Sequence, residues 1–326
     1  MKKVLIVILL LGLLPHASAD YIHWVDFRLS APVLRSALEL DMASQGGEQP
    51  LDWIDILALA AAWRGGTGVT VADTQRAAQV LRGDTPPERL PGMAGRYFSY
   101  YREAYGAALG GLAGHFAIRR TDPQTGEAEW IPAYGLKAFS PIAAGYPWSH
   151  YPDFGAQRSY GYARPHLGND ILGALGTPIC AVEGGTVEAL GWNRYGGWRI
   201  GIRSDDRKRY YYYAHLRKDA PYAEGLAVGQ RVQAGDVIGF MGRTGYSAQE
   251  NVNNIETVHL HFGLQLIFDE SQKECDSEIW IDVYPIIELL ASHCSSVARD
   301  PQTGRWERLY PYCDLDAEPL RSAAAR

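Results

Sequence analysis

From His166 to Phe268 the chain is cut by glycines into short β-type runs: "GTPICAVEGGTVEALGW", "WRIGIRS", "RYYYYAHL", "QRVQAGDVIGFMG" and "VHLHFGLQLIF". Five such runs with Gly-rich turns predict a compact, mostly antiparallel β domain. The last run sets a chemical question. In a strand, side chains alternate between faces, so Val258, Leu260 and Phe262 point one way while His259 and His261 share the other, roughly 6–7 Å apart along the chain. Alone, an H-x-H describes two solvated or hydrogen-bonded histidines as well as it describes a metal site. A metal needs further ligands from elsewhere in the chain.

The residues ahead of the β runs read as helical. "APVLRSALELDMAS" and "PLDWIDILALAAAWRGG" carry apolar residues at three- and four-residue spacing, and the second stops at Gly65-Gly66. "TVADTQRAAQVLRGD" predicts a third helix, and "GRYFSYYREAYGAALGGLAGHF" a fourth whose aromatic stripe reads as core packing. "GHFAIRRTDPQTGEAEWIPAYG" then predicts a hairpin around "DPQTG". The resulting division is a helical N-terminal domain with a terminal hairpin over 20–140, an ordered loop over 141–164, the β domain over 165–292 and a Cys-containing C-terminal tail over 293–326. The fold class is therefore α+β.

The first 19 residues, with Lys2 and Lys3, an apolar stretch from Val4 to Leu14, Pro15 and the small triplet Ala17-Ser18-Ala19, read as a secretory signal peptide. The apolar stretch is short for a membrane span, and nothing later approaches the ~20 apolar residues that one needs. An exported protein, periplasmic or extracellular and without stable membrane insertion, is the expectation. Loss of Lys2 and Lys3 takes the formal charge from −6 to −8. That mildly acidic, mixed surface argues against nucleic acid as the main partner. Cys180, Cys275, Cys294 and Cys313 make an even number for an oxidising destination, and pairing within the tail is expected.

"RPHLGNDILG" supplies His166 and Asp170 on a segment that Gly168 and Asn169 keep from being helical. Imidazole nitrogen and carboxylate oxygen are zinc ligands at about 2.0–2.2 Å, and a catalytic zinc typically takes three protein ligands and a water. One histidine of the H-x-H would complete that set. His215, at the end of "YYYYAH", can enter a cleft as a further catalytic or supporting group, whereas the tyrosines before it read as sheet packing.

"HLGND", "YAHL", "GQRVQAGDVIGFMGRTGYS" and "HLHF", in this order, resemble the LytM-type, lysostaphin-like zinc metalloendopeptidases, over roughly residues 160–290. The resemblance implies a β catalytic domain of that type, one zinc per chain held by His166, Asp170 and His261, and a catalytic pair, His215 and His259, flanking the water that the metal activates. It implies hydrolysis of peptidoglycan cross-links or stem peptides in the cell wall. Two other readings are open: a catalytically silent wall-binding or hydrolase-activating protein of the same fold, and a protease acting on other proteins. A regulatory protein partner is not specified by any motif. The chain departs from the family pattern at "AQENVNNIETV", residues 248–258, where relatives have only a few residues. This insert and the 141–164 loop are expected to form adjacent walls of one cleft.

Overall fold

The computed structural model of the protein describes residues 21–122, 124–273, 275 and 277–317. The signal segment read above lies outside the described residues. Four helices come first: α1 (Ala31–Ser44), α2 (Trp53–Arg64), α3 (Val71–Leu81) and α4 (Met93–Leu109). Two of them, α2 and α3, are bounded by local caps. The Asp52 side chain caps α2 by accepting from the Ile54 N–H, and Gly65, at φ 64°, ends it in the left-handed conformation that suits glycine. Thr70 and Asp73 form a reciprocal capping box on α3. Helix α2 is buried on nearly every side, from Trp53 through Ala62 with Asp55 as the exception, so it is the axis of the helical layer.

The hairpin β1 (Ala113–Thr121) and β2 (Ala128–Leu136) follows. Segment 141–164, expected as a loop, carries β3 (Trp148–His150) and β4 (Gln157–Arg158), the latter paired with β5 (Arg164–Pro165). Next come β6 (Asn169–Gly173), β7 (Pro178–Cys180), β8 (Gly185–Asn193), β9 (Gly197–Ser204), β10 (Arg209–Ala214), β11 (Arg231–Val232), β12 (Val237–Phe240), β13 (His259–Leu266) and β14 (Ile279–Trp280). The main sheet has eight strands in the order β11-β8-β9-β10-β13-β6-β3, with β14 on β13, and all of its pairs are antiparallel. Strands β7 and β12 make a separate small pair. Helix α5 (Tyr284–Leu290) follows and packs against α1. Beyond it lie β15 (Val297–Arg299), β16 (Trp306–Arg308) and β17 (Tyr312–Asp314), and β17 returns to pair with β1.

One apolar cluster runs through helices and sheet together, from Leu34 and Leu57 to Ile200, Tyr213 and Phe262. A buried ion pair ties the two layers. Arg209 on β10, 1% exposed, donates to both Glu183 carboxylate oxygens at 2.7 and 3.1 Å and to the Ala107 carbonyl at 2.7 Å, satisfying the C-terminal end of α4. Among the described residues no helix is long and apolar enough to cross a membrane. The expected pairing of tail cysteines is not found: Cys180, Cys275, Cys294 and Cys313 are all free thiols. They sit in separate elements, with Cys180 buried in β7, Cys294 just after α5 and Cys313 in β17.

Candidate metal centre

Strand pairing builds the centre. In the β13–β6 register His261 lies directly opposite Asp170, and cross-strand partners project from the same face of a sheet. His166 reaches them from the loop before β6, where its N–H donates to the Ala156 carbonyl at 2.8 Å. Gly168 lets that loop pass against the His261 ring: a Cβ there would sit 2.7 Å from His261 Cε1 and 2.7 Å from the Phe262 carbonyl oxygen.

Three ligand atoms converge. His166 Nε2 is 3.0 Å from Asp170 Oδ1 and 2.8 Å from His261 Nδ1, and His261 Nδ1 is 3.2 Å from Asp170 Oδ1. Ligands bound tetrahedrally at zinc distances stand about 3.3–3.5 Å apart, so small outward movements would seat an ion among them. Tautomers agree with that use. His166 Nδ1–H donates to the Asp153 carbonyl at 3.1 Å, with an Asp153 carboxylate oxygen at 3.2 Å, which leaves Nε2 as the lone-pair atom.

The electrostatics call for a cation. Burial alone would lower the His166 pKa, but the hydrogen bonds and charges of Asp153 and Asp170 override it and push it up to about 9. Burial would raise Asp170, yet His166, His261 and His259 around it hold its carboxyl well below the usual range. His261 is pushed below the ordinary imidazole value by burial, against the pull of Asp170. Two carboxylates, Asp153 and Asp170, share the single guanidinium of Arg158, so the centre favours one more positive charge, supplied by a proton on an imidazole or by a metal ion in its place.

Two further imidazoles stand beside these ligands. His259 is on the same strand face as His261, its Nδ1–H donates to the Thr257 carbonyl at 2.9 Å, and its Nε2 is 3.7 Å from Asp170 Oδ1. His215 arrives by a different route. Continued alternation along β10 would send it to the core side with Tyr211 and Tyr213, but at φ 61° it leaves the strand in the left-handed region. Its ring lies 4.7 Å from that of His259 and 5.8 Å from that of His261. Its Nδ1–H donates to the Thr244 carbonyl at 2.9 Å, and Thr244 is itself held by donating to the Leu216 carbonyl at 2.6 Å. Burial, with His259 and His261 nearby, pushes the His215 pKa well below its ordinary value, so its Nε2 is a free base at neutral pH. The five residues singled out in the sequence, His166, Asp170, His215, His259 and His261, are thus gathered at one point.

Two participants carried no sequence signal, and a third, Asn169, was read only as a helix breaker inside "HLGND". Asp153 and Arg158 lie in the aperiodic 141–164 segment, and Arg158 Nη2 donates at 2.9 Å to both Asp153 Oδ2 and Asp170 Oδ2. Asn169 donates to Asp153 Oδ1 at 2.9 Å. Together they fix His166 and Asp170 from behind. An acid and an arginine in a loop are too common to stand out without the fold.

A cleft of about 300 Å³ opens over the centre, lined among others by Arg164, Tyr195, Arg199, Tyr212, Tyr246 and Trp280. One wall comes from the 141–164 segment, where Tyr160 stacks on Tyr246 with ring centroids 4.6 Å apart. The insert is not a wall: no residue of 248–258 lines the cleft. It supports the wall from outside, with Asn254 donating to the Tyr246 carbonyl at 2.6 Å and Asn251 accepting from Trp198 Nε1 at 2.9 Å.

Residues 164–274 match Peptidase family M23. This stretch is an M23 peptidase domain. The chain is 40% identical over 130 residues to L-Ala–D-Glu endopeptidase of Bacillus subtilis, an alignment covering 40% of this chain and 38% of that protein. It is 37% identical over 98 residues to lysostaphin of Staphylococcus simulans, covering 30% of this chain and 17% of the relative. The chain therefore spans well under half the length of these relatives. A solved structure of a proposed glycyl-glycine endopeptidase, lytM, from Ruminococcus gnavus aligns with 82% of this chain and 91% of its own at 25% identity and a TM-score of 0.49. M23 peptidases are zinc metallopeptidases as a family, although some members are inactive.

Proposed function

We propose that the protein is an exported zinc endopeptidase that hydrolyses peptide bonds in peptidoglycan cross-links or stem peptides. The observation that carries this reading is the convergence of His166 Nε2, Asp170 Oδ1 and His261 Nδ1 beside two imidazoles whose Nδ1–H groups are already spent on backbone carbonyls. Two relatives support the substrate class by name, the L-Ala–D-Glu endopeptidase and a peptidoglycan DD-endopeptidase of Vibrio cholerae that is 30% identical over 102 residues.

In this reading His166, Asp170 and His261 hold one zinc. Zinc at such a site supplies Lewis acidity, polarising a carbonyl and lowering the pKa of water to about 7. The proton work falls to this chain's own side chains. As water oxygen attacks the scissile carbonyl carbon, its proton passes to Nε2 of His215 or His259. The imidazolium so formed donates to the developing charge on oxygen and then to the leaving nitrogen as the C–N bond breaks. Arg158 and Asp153 hold the ligand set still, and the tyrosines of the cleft position the peptide.

Metal analysis combined with digestion of purified peptidoglycan tests the proposal. The wild-type protein should carry about one zinc and release peptides detectable by mass spectrometry. His261→Ala should lose the metal. His215→Ala and His259→Ala should keep it and turn over roughly 10²-fold more slowly or worse. Stoichiometric zinc in His261→Ala would overturn the ligand assignment, and zinc-loaded wild-type protein that leaves peptidoglycan intact would favour a silent wall-binding role.

A further inference from the structure

Among the described residues, four cations line the cleft: Arg158, Arg164, Arg199 and Lys273. Three are satisfied within the protein. Arg158 is shared by Asp153 and Asp170, Arg164 donates to the Tyr160 carbonyl at 2.6 Å and lies over the Tyr195 ring, and Lys273 pairs with Glu188. Arg199 differs. Its guanidinium makes no hydrogen bond or ion pair among the described residues, and its Nε is buried without a partner. Among the described residues, the acids that line the cleft are engaged elsewhere, Asp170 with the histidines and Arg158, and Glu278 with Trp280 Nε1 at 2.7 Å. Half-burying a guanidinium without a counter-ion is costly, and an arriving anion would remove that cost.

The position of Arg199 says where that anion must be. On β9, Ile200 and Ile202 pair with Tyr213 and Tyr211 and point into the core, so alternation puts Arg199 on the cleft face with Tyr212 and His261. Strand β10 separates β9 from β13, and two strand spacings place Arg199 about 10 Å from His261 across the sheet. An extended peptide covers that offset in about three residues. A planar guanidinium with open N–H groups is matched by a carboxylate, which it binds through two parallel hydrogen bonds.

We propose that Arg199 sets the specificity of this cleft: it binds a free carboxylate on the peptide, within about three residues of the bond that is cut, and so selects acidic over neutral peptides. The inference rests on the peptidase reading given above. Its test uses two peptides, acetyl-L-Ala-γ-D-Glu-L-Lys amide with its α-carboxylate free and the same peptide with that group as a carboxamide. Turnover is measured with zinc-loaded wild type, Arg199→Gln and Arg199→Lys. Binding of both peptides is measured by calorimetry on zinc-loaded His259→Ala protein with and without Arg199→Gln. Wild type should prefer the acid by roughly 10- to 100-fold in kcat/KM, mainly through KM, the preference should collapse toward unity in Arg199→Gln, and Arg199→Lys should keep part of it. Equal treatment of the two peptides by wild type, or a preference that survives Arg199→Gln, overturns the proposal. If wild type cuts neither peptide, the peptidase reading is what fails, and the calorimetric preference still decides the role of Arg199.

Discussion

Replacing Asp153 by alanine should weaken zinc binding about 30-fold without unfolding the protein. Asp153 lies outside the proposed ligand set, so the effect would come through the groups it holds. The change removes the carboxylate contact to His166 Nδ1 at 3.2 Å, one of the two carboxylates on Arg158, and the acceptor for Asn169 Nδ2 at 2.9 Å. Loss of such supporting contacts costs about 10- to 100-fold in metal affinity. Two features argue against the upper end: the Asp153 backbone carbonyl still accepts from His166 Nδ1–H at 3.1 Å, and Arg158 still has Asp170 Oδ2 at 2.9 Å. One feature argues against the lower end. Freed from Asp153, Arg158 bears wholly on Asp170 and draws electron density from a carboxylate of the proposed ligand set. A 30-fold loss corresponds to about 2 kcal/mol. Competition against a fluorescent zinc chelator gives the affinity, and near-ultraviolet circular dichroism reports whether the fold is intact. A folded Asp153→Ala protein binding zinc within threefold of wild type would refute the reasoning and reduce Asp153 to a loop residue.

Two further predictions concern stability. Arg209→Met leaves Glu183 buried with only the Tyr211 hydroxyl and uncouples the sheet from the end of α4, so urea unfolding should show a loss of about 3–5 kcal/mol. Removing both charges, in Arg209→Met with Glu183→Leu, should cost much less than that single change, and a single-mutant loss under ~1 kcal/mol would contradict a structural role. His293 donates Nδ1–H to the Ala138 carbonyl and stacks on Phe139, and burial pushes its pKa down. The unfolded chain therefore takes up the proton first, so the stability contributed by neutral His293 is present above about pH 6.5 and is lost as pH falls from there through the lower folded value. His293→Asn should show a smaller drop in thermal midpoint between pH 7 and pH 5 than wild type, and identical drops would exclude that contribution.

Local periodicity was enough to read much of this molecule. The spacing of apolar residues located all four N-terminal helices, "DPQTG" located the first hairpin, and strand alternation alone put His259 and His261 on a shared face. These features depend on a few consecutive residues and on backbone geometry that repeats every 3.6 or 2 positions. Other features depend on contacts that no local pattern encodes. His215 joins the centre because a positive φ turns it away from the side that alternation assigns, and that conformation is stabilised by Gly196 and Thr244 from other loops. Asp153 and Arg158 matter only because an aperiodic segment adds β3 to the edge of the sheet and lies behind the ligands. The 248–258 insert supports Tyr246 instead of lining the cleft, and β17 crosses back to β1 from almost two hundred residues away. Those choices rest on which distant surfaces can be buried together and which buried polar groups can be satisfied, and these are properties of the assembled chain that a window of sequence does not contain.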